Sequence, residues 1–422
     1  MFYIVENLDQ LKEFYNKGYK EAYIEVIPYS YTTHPVKSPI SLIYIRPLDA
    51  TKGYIIAINH SETLRLNNEY IVELIGSYDK LYVWGKKEFL HFYVHKDIID
   101  VSLHCPEYEM ETTKAHQILV QRNKEKTDVN RIIPIVKHYE TCEKNYNNLK
   151  PYFNEPVNKF YNNRVPLVFN AIERNGIQVS PKLFQEHFNQ DWGDKVYTQY
   201  NYRTTTTRPS NRFGGVNFAA LNKENECRKA FIPRNDRFLE IDISAYHPTL
   251  ASHLIDYKFN TDDIHASFAK MYKVDYKKAK ELTFKQLYGG VFDQYKNLPY
   301  FQKIQKYVSK LWNKFQNEGY IKCPISEHKF KKDKLDNMNP QKLFNYLLQN
   351  LETSTNVRIL WEIIKLLKNH KTKLVLYTYD AFLFDIDNNE EELIKKVLKV
   401  FEKHDLKTKI KHGTNYDFTG QS

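Results

Sequence analysis

Two aspartates lie within apolar segments of the chain, where an isolated charge is costly. Asp242 stands in the predicted strand FLEIDIS, and Asp380 stands at the predicted bend of the hairpin VLYTYDAFLF. A carboxylate on a hydrophobic strand is destabilising unless it is paired or binds a metal. Carboxylate oxygens suit Mg²⁺, and two such ions can stabilise the attacking and the leaving oxygen of a phosphoryl transfer. The pair therefore favours a magnesium site, and the alternative for either residue alone is an exposed turn aspartate.

A cation and two aromatic rings share one face of a predicted helix between these aspartates. Lys280, Phe284 and Tyr288 in KAKELTFKQLYGG are spaced by four, which places them on the same helix face. That face offers a cation for a triphosphate, a ring that can stack on an incoming base, and a second ring near a template. The alternative is an amphipathic helix whose aromatic side chains pack into the core.

The overall composition favours contact with a polyanion. The chain has 62 Lys and Arg against 51 Asp and Glu, a net charge of +11, and 33 Tyr, 25 Phe and 4 Trp. Positive charge attracts nucleic acid, and aromatic rings provide surfaces on which bases stack. Codon bias in an AT-rich genome would also enrich Lys, Tyr and Phe, so the motifs must decide between the two explanations.

The sequence argues against several protein classes. Its 422 residues suggest two or three domains, and an apolar fraction of 42% is ordinary for a globular protein. No apolar run reaches the roughly 18 residues that indicate a membrane span, and charges near the N-terminus argue against a secretory signal. Four scattered cysteines argue against a disulfide framework or a zinc knuckle. We therefore expect a soluble protein of the cytoplasm.

The hydrophobic pattern predicts a mixed α/β fold in three parts. In residues 1–105 a helix ending at Gly18 precedes the strand-like runs AYIEVIP, ISLIYIRPL, GYIIAINH and LYVWG, and KKEFLHFYVH is typical of a helix. Residues 106–156 are expected to form a helical linker. In residues 157–422 the strand RFLEIDIS, helical segments at 262–320 and 343–370, the hairpin KLVLYTYDAFLFDID and an amphipathic helix follow in that order. This is the order expected if two strands bring the distant aspartates together.

Seven segments of the chain, taken in order, resemble elements of one enzyme family. EIDISAYHPTLASHL resembles motif A of the family A DNA polymerases, the DNA polymerase I type. KAKELTFKQLYGG, with DIH at 263–265 upstream, is similar to motif B, and LYTYDAFLFDI is similar to motif C. IERNGIQVSP, TRPSNRFGGVNF, RKAFIP and NYLLQ resemble further elements of that family. The resemblance covers residues 157–418 and implies a right-hand polymerase domain with palm, fingers and a reduced thumb.

The resemblance implies roles for the matching residues. Asp242 and Asp380 would be the catalytic ligands of two Mg²⁺ ions, with Mn²⁺ as a substitute. The residues that would bind the nucleotide are His265, Lys277, Lys280, Phe284 and Tyr288. The residues that would contact the DNA are Arg208, Asn217, Arg228, Asn345, Gln349 and Tyr379.

Two positions depart from the family pattern. Tyr276 stands where an arginine usually precedes the motif B lysine, and we expect Lys277 or Lys278 to substitute with a weaker grip on phosphate. Ala381 stands where a glutamate usually follows the motif C aspartate, which also argues against the paired aspartates of a reverse transcriptase hairpin. Because neither metal-binding aspartate is lost, we expect activity to survive.

Residues 1–105 resemble a degenerate 3′–5′ exonuclease domain with an RNase H-like sheet. Only Glu25, Glu88 and Asp100 stand near the positions of the metal ligands of that domain type. An incomplete ligand set cannot hold both metals, so we expect this domain to be inactive and to serve structure or guide DNA. The alternative is an unrelated α/β domain.

We expect this chain to select the sugar of the nucleotide, and to hold the DNA duplex, through residues that differ from those of the family. His247 occupies the position of the glutamate that blocks a ribose 2′-hydroxyl, and we expect His247 first, and Tyr246 second, to act as the steric gate. The alternative is that Tyr246 packs under the fingers helix. The short gap from Gly176 to Arg208 leaves room for one helix, so we expect distributive synthesis or a processivity partner that replaces the thumb.

The resemblance as a whole implies DNA-dependent DNA synthesis on a primed template. The primer 3′-hydroxyl would attack the α-phosphate of a dNTP and release pyrophosphate. DNA replication in a bacterial cytoplasm, from a phage or a small replicon, is the expected setting. A primase, a template-independent nucleotidyltransferase and a non-catalytic nucleic-acid-binding relative remain as alternatives.

Overall fold

The computed structural model describes residues 2–122, 128–189, 193–213, 216–222, 224–261 and 263–418. The chain divides into two compact units, Met1–Asn170 and Ala171–Ser422, here called unit 1 and unit 2. Within the described ranges, no helix combines the length and the apolar character that crossing a membrane requires.

Unit 1 is built on a mixed six-stranded sheet. Its strands are β1 (Tyr3–Val5), β2 (Glu21–Pro28), β3 (Ile40–Pro47), β4 (Tyr54–Ala57), β5 (Lys80–Val83) and β6 (Ile98–Asp100). Their order across the sheet is β1-β4-β3-β2-β5-β6. Strands β2, β3 and β4 form an antiparallel meander, and β5 and β6 continue the sheet parallel to β2. The strand-like runs predicted from sequence are confirmed.

Both faces of this sheet are buried beneath helices. The helices are α1 (Leu8–Asn16), α2 (Asn68–Gly76), α3 (Lys86–Phe89), α4 (Glu111–Arg122), α5 (Ile135–Leu149) and α6 (Lys159–Asn163). The central strand β3 is buried along almost its whole length, as expected for a strand covered on both sides. Leu11 of α1 and Ile71 of α2 pack on one face, and Cys142 and Tyr146 of α5 pack on the other. Residues 106–156, predicted as a helical linker, contain α4 and α5, and α5 packs into the core of unit 1.

Unit 2 combines small sheets with long helices. Helix α7 (Val165–Asn175) contains the boundary between the units. The strands are β7 (Ile177–Val179), β8 (Lys195–Val196), β9 (Tyr200–Asn201), β10 (Ser210–Phe213), β11 (Val216–Asn217), β12 (Phe231–Ile232), β13 (Arg237–Ile243), β14 (Tyr320–Lys322), β15 (Lys329–Lys331), β16 (Lys373–Thr378), β17 (Ala381–Ile386) and β18 (Thr408–Gly413). The helices are α8 (Pro181–Phe188), α9 (Tyr246–Leu254), α10 (Ile264–Tyr272), α11 (Tyr276–Gly289), α12 (Pro299–Glu318), α13 (Pro340–Leu366) and α14 (Glu391–Lys403).

The central sheet of unit 2 brings three distant segments together. Its order is β16-β17-β13-β18, and neighbouring strands are antiparallel. The register pairs Asp242 of β13 with Ala381 of β17 on one side and with Lys409 of β18 on the other. Asp380 immediately precedes β17. The predicted strand and hairpin are confirmed, and both aspartates lie at the same end of the sheet.

The helices beside this sheet begin at capping residues. Asp263 accepts a hydrogen bond from the backbone N–H of Ala266 (3.0 Å) before α10, and Asp275 accepts one from Lys278 (2.9 Å) before α11. Helix α11 ends at Gly289 and is followed by Gly290, whose φ of 101° favours glycine. Helix α13 is 27 residues long, and buried side chains surround most of it. It packs against α9, α11, α12 and α14 and therefore fixes the helices that surround the site.

Candidate active site

The two aspartates predicted as metal ligands lie side by side in unit 2. Asp380 follows Tyr379, whose φ of 58° forms the bend between β16 and β17, and the backbone N–H of Ile243 donates to the Asp380 carbonyl (2.9 Å). Asp380 is accessible from the cleft, but protein atoms displace much of the water around its carboxyl group. This desolvation, together with the charge of Asp242, raises the pKa of Asp380 to about 6. Two carboxylates that repel each other favour the binding of a divalent cation.

A cavity of about 170 Å³ opens beside these aspartates. It is lined by Arg208, Asp242, Ile243, Ser244, Ala245, Tyr246, His247, His265, Tyr276, Lys280, Phe284, Tyr288, Glu352, Asp380 and Lys409. A larger cavity of about 540 Å³ shares Ser244, Ala245, His265, Tyr276 and Lys409 with it and therefore adjoins it. Apart from Lys277, every nucleotide-binding residue predicted from sequence lines the smaller cavity.

Helix α11 presents its predicted face to the cavity. The rings of Phe284 and Tyr288 stack with their centroids 5.9 Å apart, and the His265 ring of α10 lies 6.1 Å from Phe284. Burial lowers the pKa of His265, and the charges of Lys280 and Lys409 lower it further. The His265 Nδ1 atom is buried and has no hydrogen-bond partner among the described residues. These features fit a site for a ligand with anionic oxygens.

The position at which the sequence resemblance places an arginine carries no charge in this chain. Tyr276 lines the cavity there, with its ring 5.7 Å from that of His265. Lys277 is exposed, Lys278 pairs with Glu281 (3.8 Å), and neither is among the described residues that line the cavity. A second lysine of the cavity is instead Lys409, which β18 supplies beside Asp242.

His247 is fixed at both ring nitrogens. Its Nδ1 lies 2.6 Å from the Tyr288 hydroxyl of α11, and its Nε2 lies 2.5 Å from Oε2 of Glu352 on α13. Burial and the charge of Glu352 raise the pKa of Tyr288, so its hydroxyl stays protonated and can donate to the imidazole. The adjacent Tyr246 is buried and donates to Oδ1 of Asn356 (2.7 Å), so it packs against α13.

Arg208 continues this network towards the bend that carries Asp380. Its Nε donates to Oε1 of Glu352 (3.0 Å), and its guanidinium lies over the Tyr379 ring, 3.7 Å from the centroid. Asn356 donates to the carbonyl oxygen of Tyr379 (2.6 Å). Arg208 and Tyr379, both predicted to contact DNA, therefore lie beside the aspartates.

The other predicted DNA-binding residues occupy different places. Asn345 donates to the carbonyl oxygen of Tyr288 (3.0 Å), and Gln349 accepts from the Thr206 hydroxyl (3.0 Å), so both lie close to the cavity on α13. Arg228 donates to the carbonyl oxygen of Leu221 (3.1 Å) and lies over the Tyr416 ring (4.7 Å). Asn217 is exposed on β11. Neither Arg228 nor Asn217 is among the described residues that line the cavity.

Two residues of the site were missed by sequence reasoning. Glu352 follows Asn345 and Gln349 at helical spacing and precedes Asn356 by four, so a polar stripe along α13 could have indicated it. Lys409 gave no such signal, because its place depends on the register between β18 and β13.

Two of the acidic residues predicted in unit 1, Glu25 and Asp100, lie on opposite faces of its sheet. Glu25 accepts hydrogen bonds from Tyr23 (2.8 Å), Thr112 (3.2 Å) and Asn145 (3.1 Å). Asp100 accepts the backbone N–H groups of Gly85 and Lys86 (both 3.0 Å). Strand alternation places Glu25 on the face of Tyr23 and Asp100 on the opposite face, with Ile98. Glu88 pairs with Lys87 (3.1 Å).

Comparison with known proteins finds likeness in structure alone. No family model matches the sequence, and no curated protein matches it. Among solved structures, the POL domain of Pol1 from M. smegmatis, in complex with DNA primer-template and dNTP, is similar with a TM-score of 0.69. The sequences are 12% identical, and the match covers 98% of this chain and 99% of that chain. The chain therefore has the mixed α/β fold of a DNA polymerase domain.

Proposed function

We propose that this chain is a DNA-dependent DNA polymerase of the DNA polymerase I type, family A. The observation that carries the proposal is the meeting of two strand-end aspartates and the Lys280–Phe284–Tyr288 face of α11 in one cavity. In the proposed reaction the primer 3′-hydroxyl oxygen attacks the α-phosphorus of a dNTP, and the bond to the bridging oxygen breaks. Pyrophosphate leaves, and the hydroxyl proton passes to solvent. The polymerase-like fold supports this choice.

The oxygen donors at the end of the central sheet fit divalent cations. Asp242 and Asp380 present adjacent carboxylates, and their repulsion is relieved when a cation binds. We assign them as the ligands of two Mg²⁺ ions, which Mn²⁺ can replace. Such ions supply electrostatic stabilisation of the attacking and leaving oxygens.

The proposed nucleotide site follows from the charges and rings of the cavity. Lys280, Lys409 and the unpartnered nitrogen of His265 would bind the phosphate oxygens. Phe284 would stack on the incoming base or sugar, and Tyr288 would lie at the template position. His247 would face the sugar as the steric gate.

The proposed DNA path begins at Arg208 and Tyr379. These residues would contact the primer end, and Asn345 and Gln349 would extend the contacts along α13. Arg228 and Asn217 would contact DNA away from the cavity. Between Gly176 and Arg208 the helix among the described residues is α8, so we propose a reduced thumb and distributive synthesis, or a partner that replaces the thumb.

A labelled-primer assay tests this function. The protein is incubated with dNTPs and Mg²⁺ together with labelled primer alone, with labelled primed template, or with template alone and a labelled nucleotide. A DNA trap limits each protein to one encounter. Template-dependent addition of a few nucleotides per encounter is expected. Addition to primer alone would indicate a template-independent transferase, and synthesis without a primer would indicate a primase. No addition in any arm would favour a non-catalytic relative, and long products would contradict the reduced thumb.

A further inference from the structure

Glu352 is a buried acid at the centre of the cavity network. It lies on α13 and is 2% exposed. A buried carboxylate is strongly unfavourable unless positive or hydrogen-donating groups face it. Both of its oxygens have such partners, since Oε1 accepts from Arg208 Nε (3.0 Å) and Oε2 lies 2.5 Å from His247 Nε2.

The contact with Glu352 removes the remaining freedom of the His247 ring. Tyr288 already contacts Nδ1 at 2.6 Å, so the imidazole is fixed from α11 on one side and from α13 on the other. The Tyr288 ring also meets the imidazole edge to face, with centroids 5.7 Å apart. A side chain that is fixed at both nitrogens forms a rigid wall of the cavity.

We propose that Glu352 is the positioning residue for sugar selection, acting through His247. This inference rests on the proposed function and specifies how the same site rejects a ribonucleotide. Steric rejection of a 2′-hydroxyl requires a wall that cannot move, because a side chain free to rotate gives way to one additional oxygen atom. In this chain the carboxylate belongs to Glu352 of α13, and the ring that would face the sugar belongs to His247.

The ratio of kcat/KM for a dNTP to that for the matching rNTP measures this role. We expect Glu352→Ala to lower that ratio by at least about tenfold, the range in which one positioned contact discriminates substrates. Glu352→Gln keeps an acceptor oxygen for His247 and is expected to lower the ratio less. A merely structural role would reduce incorporation of both sugars equally and leave the ratio unchanged.

Asp385 offers a matched control outside the site. It is 5% exposed and accepts the backbone N–H groups of Arg234 (2.8 Å) and Asn235 (2.9 Å), far along β17 from Asp380. Asp385→Asn removes a buried carboxylate of the same unit. It is expected to leave the ratio within about twofold of the wild type, since its hydrogen-bond partners among the described residues do not line the cavity.

A second test moves the carboxylate from position 352 to position 247. His247→Glu alone places two acids together in a buried space and is expected to reduce incorporation of both sugars. In the double variant His247→Glu/Glu352→Ala, a single carboxylate replaces the ring that Tyr288 contacts in the wild type. We expect this double variant to recover most of the ratio that Glu352→Ala loses.

The possible outcomes separate this inference from the function on which it rests. Template-directed activity of Glu352→Ala with an unchanged ratio would overturn the inference alone. If that variant does not fold, an unchanged ratio in Glu352→Gln would overturn the inference equally. A wild type that accepts both sugars equally would overturn the gate, and a wild type without template-directed addition would overturn the proposed function and the inference together.

Discussion

Units 1 and 2 both place carboxylates on or beside strands, but the surroundings of these carboxylates differ. In unit 1, Glu25 and Asp100 accept several hydrogen bonds each from neighbouring side chains and backbone. In unit 2, Asp380 lies beside Asp242, and burial together with that like charge raises its pKa to about 6. The two acids of unit 1 face protein donors, whereas in unit 2 the charge of Asp242 opposes the ionisation of Asp380.

The groups that surround a carboxylate indicate whether it serves structure or can bind a metal ion. Oxygens that already accept protein hydrogen bonds cannot coordinate an ion without losing those bonds. Two adjacent carboxylates that repel each other gain stability when a cation binds between them. The paired aspartates thus support a cation site in unit 2, whereas Glu25 and Asp100 of unit 1 are held by protein hydrogen bonds.

The largest effect is expected from removing one charge of the pair in unit 2. Asp242→Asn or Asp380→Asn should lower primer extension at least about 1,000-fold, because several kcal/mol of electrostatic stabilisation are lost. Binding of primer–template, measured by fluorescence anisotropy, should stay within about threefold of the wild type. Glu25→Gln serves as the control in unit 1 and should extend primers normally. Near-normal primer extension by either aspartate variant would show that the carboxylates of unit 2 are no more important for activity than those of unit 1.

A smaller effect is expected at the lysines of the cavity. Lys409→Ala should raise the KM for dNTPs by about tenfold, because a charge-assisted hydrogen bond to phosphate contributes roughly 1.5–3 kcal/mol. Lys277→Ala should change it by less than about twofold, since Lys277 is exposed and outside the lining of the cavity. Steady-state kinetics with a primed template measure both values. A larger effect at Lys277 than at Lys409 would assign the main phosphate contact to α11 instead of β18.

The positions of these lysines show what the sequence alone could and could not predict. The aspartates and the α11 face were predictable because strand patterns and helical spacing are local properties. The neighbour of Asp242 across the sheet, Lys409, was not, because pairing register depends on contacts between distant segments. The separation of Glu25 from Asp100 depends on which face of the sheet each occupies, and an incomplete motif does not contain that information.

The burial of Glu25 predicts a pH-dependent effect on stability. Desolvation raises its pKa to about 7, although its hydrogen bonds partly oppose the shift. The folded protein therefore holds the proton more tightly than the unfolded chain, and the stability contribution of Glu25 falls as the pH rises from about 4.5 to about 7. The Tm of Glu25→Gln relative to the wild type should thus increase between pH 5 and pH 8. Thermal unfolding by circular dichroism would contradict this if the Tm difference were constant or fell.

We expect that unit 1 does not remove nucleotides from primer 3′ ends. Because Glu25 and Asp100 lie on opposite faces of the sheet, the protein should not shorten single-stranded or mismatched 3′ ends in Mg²⁺ or Mn²⁺. A labelled primer incubated without dNTPs should keep its length. Shortening that disappears in Glu25→Gln or Glu88→Gln would show that unit 1 holds catalytic metal ions.

Mn²⁺ binding in a complex with dNTP and a dideoxy-terminated primer–template tests most directly whether the paired aspartates of unit 2 hold the cation. Electron paramagnetic resonance measures free Mn²⁺ in samples of the wild type, Asp242→Asn, Asp380→Asn and Glu25→Gln. The wild type and Glu25→Gln are predicted to bind Mn²⁺ equally, and the two aspartate variants are predicted to lose that binding. Full Mn²⁺ binding in both aspartate variants, or its loss in Glu25→Gln, would contradict the assignment of the metal site to unit 2.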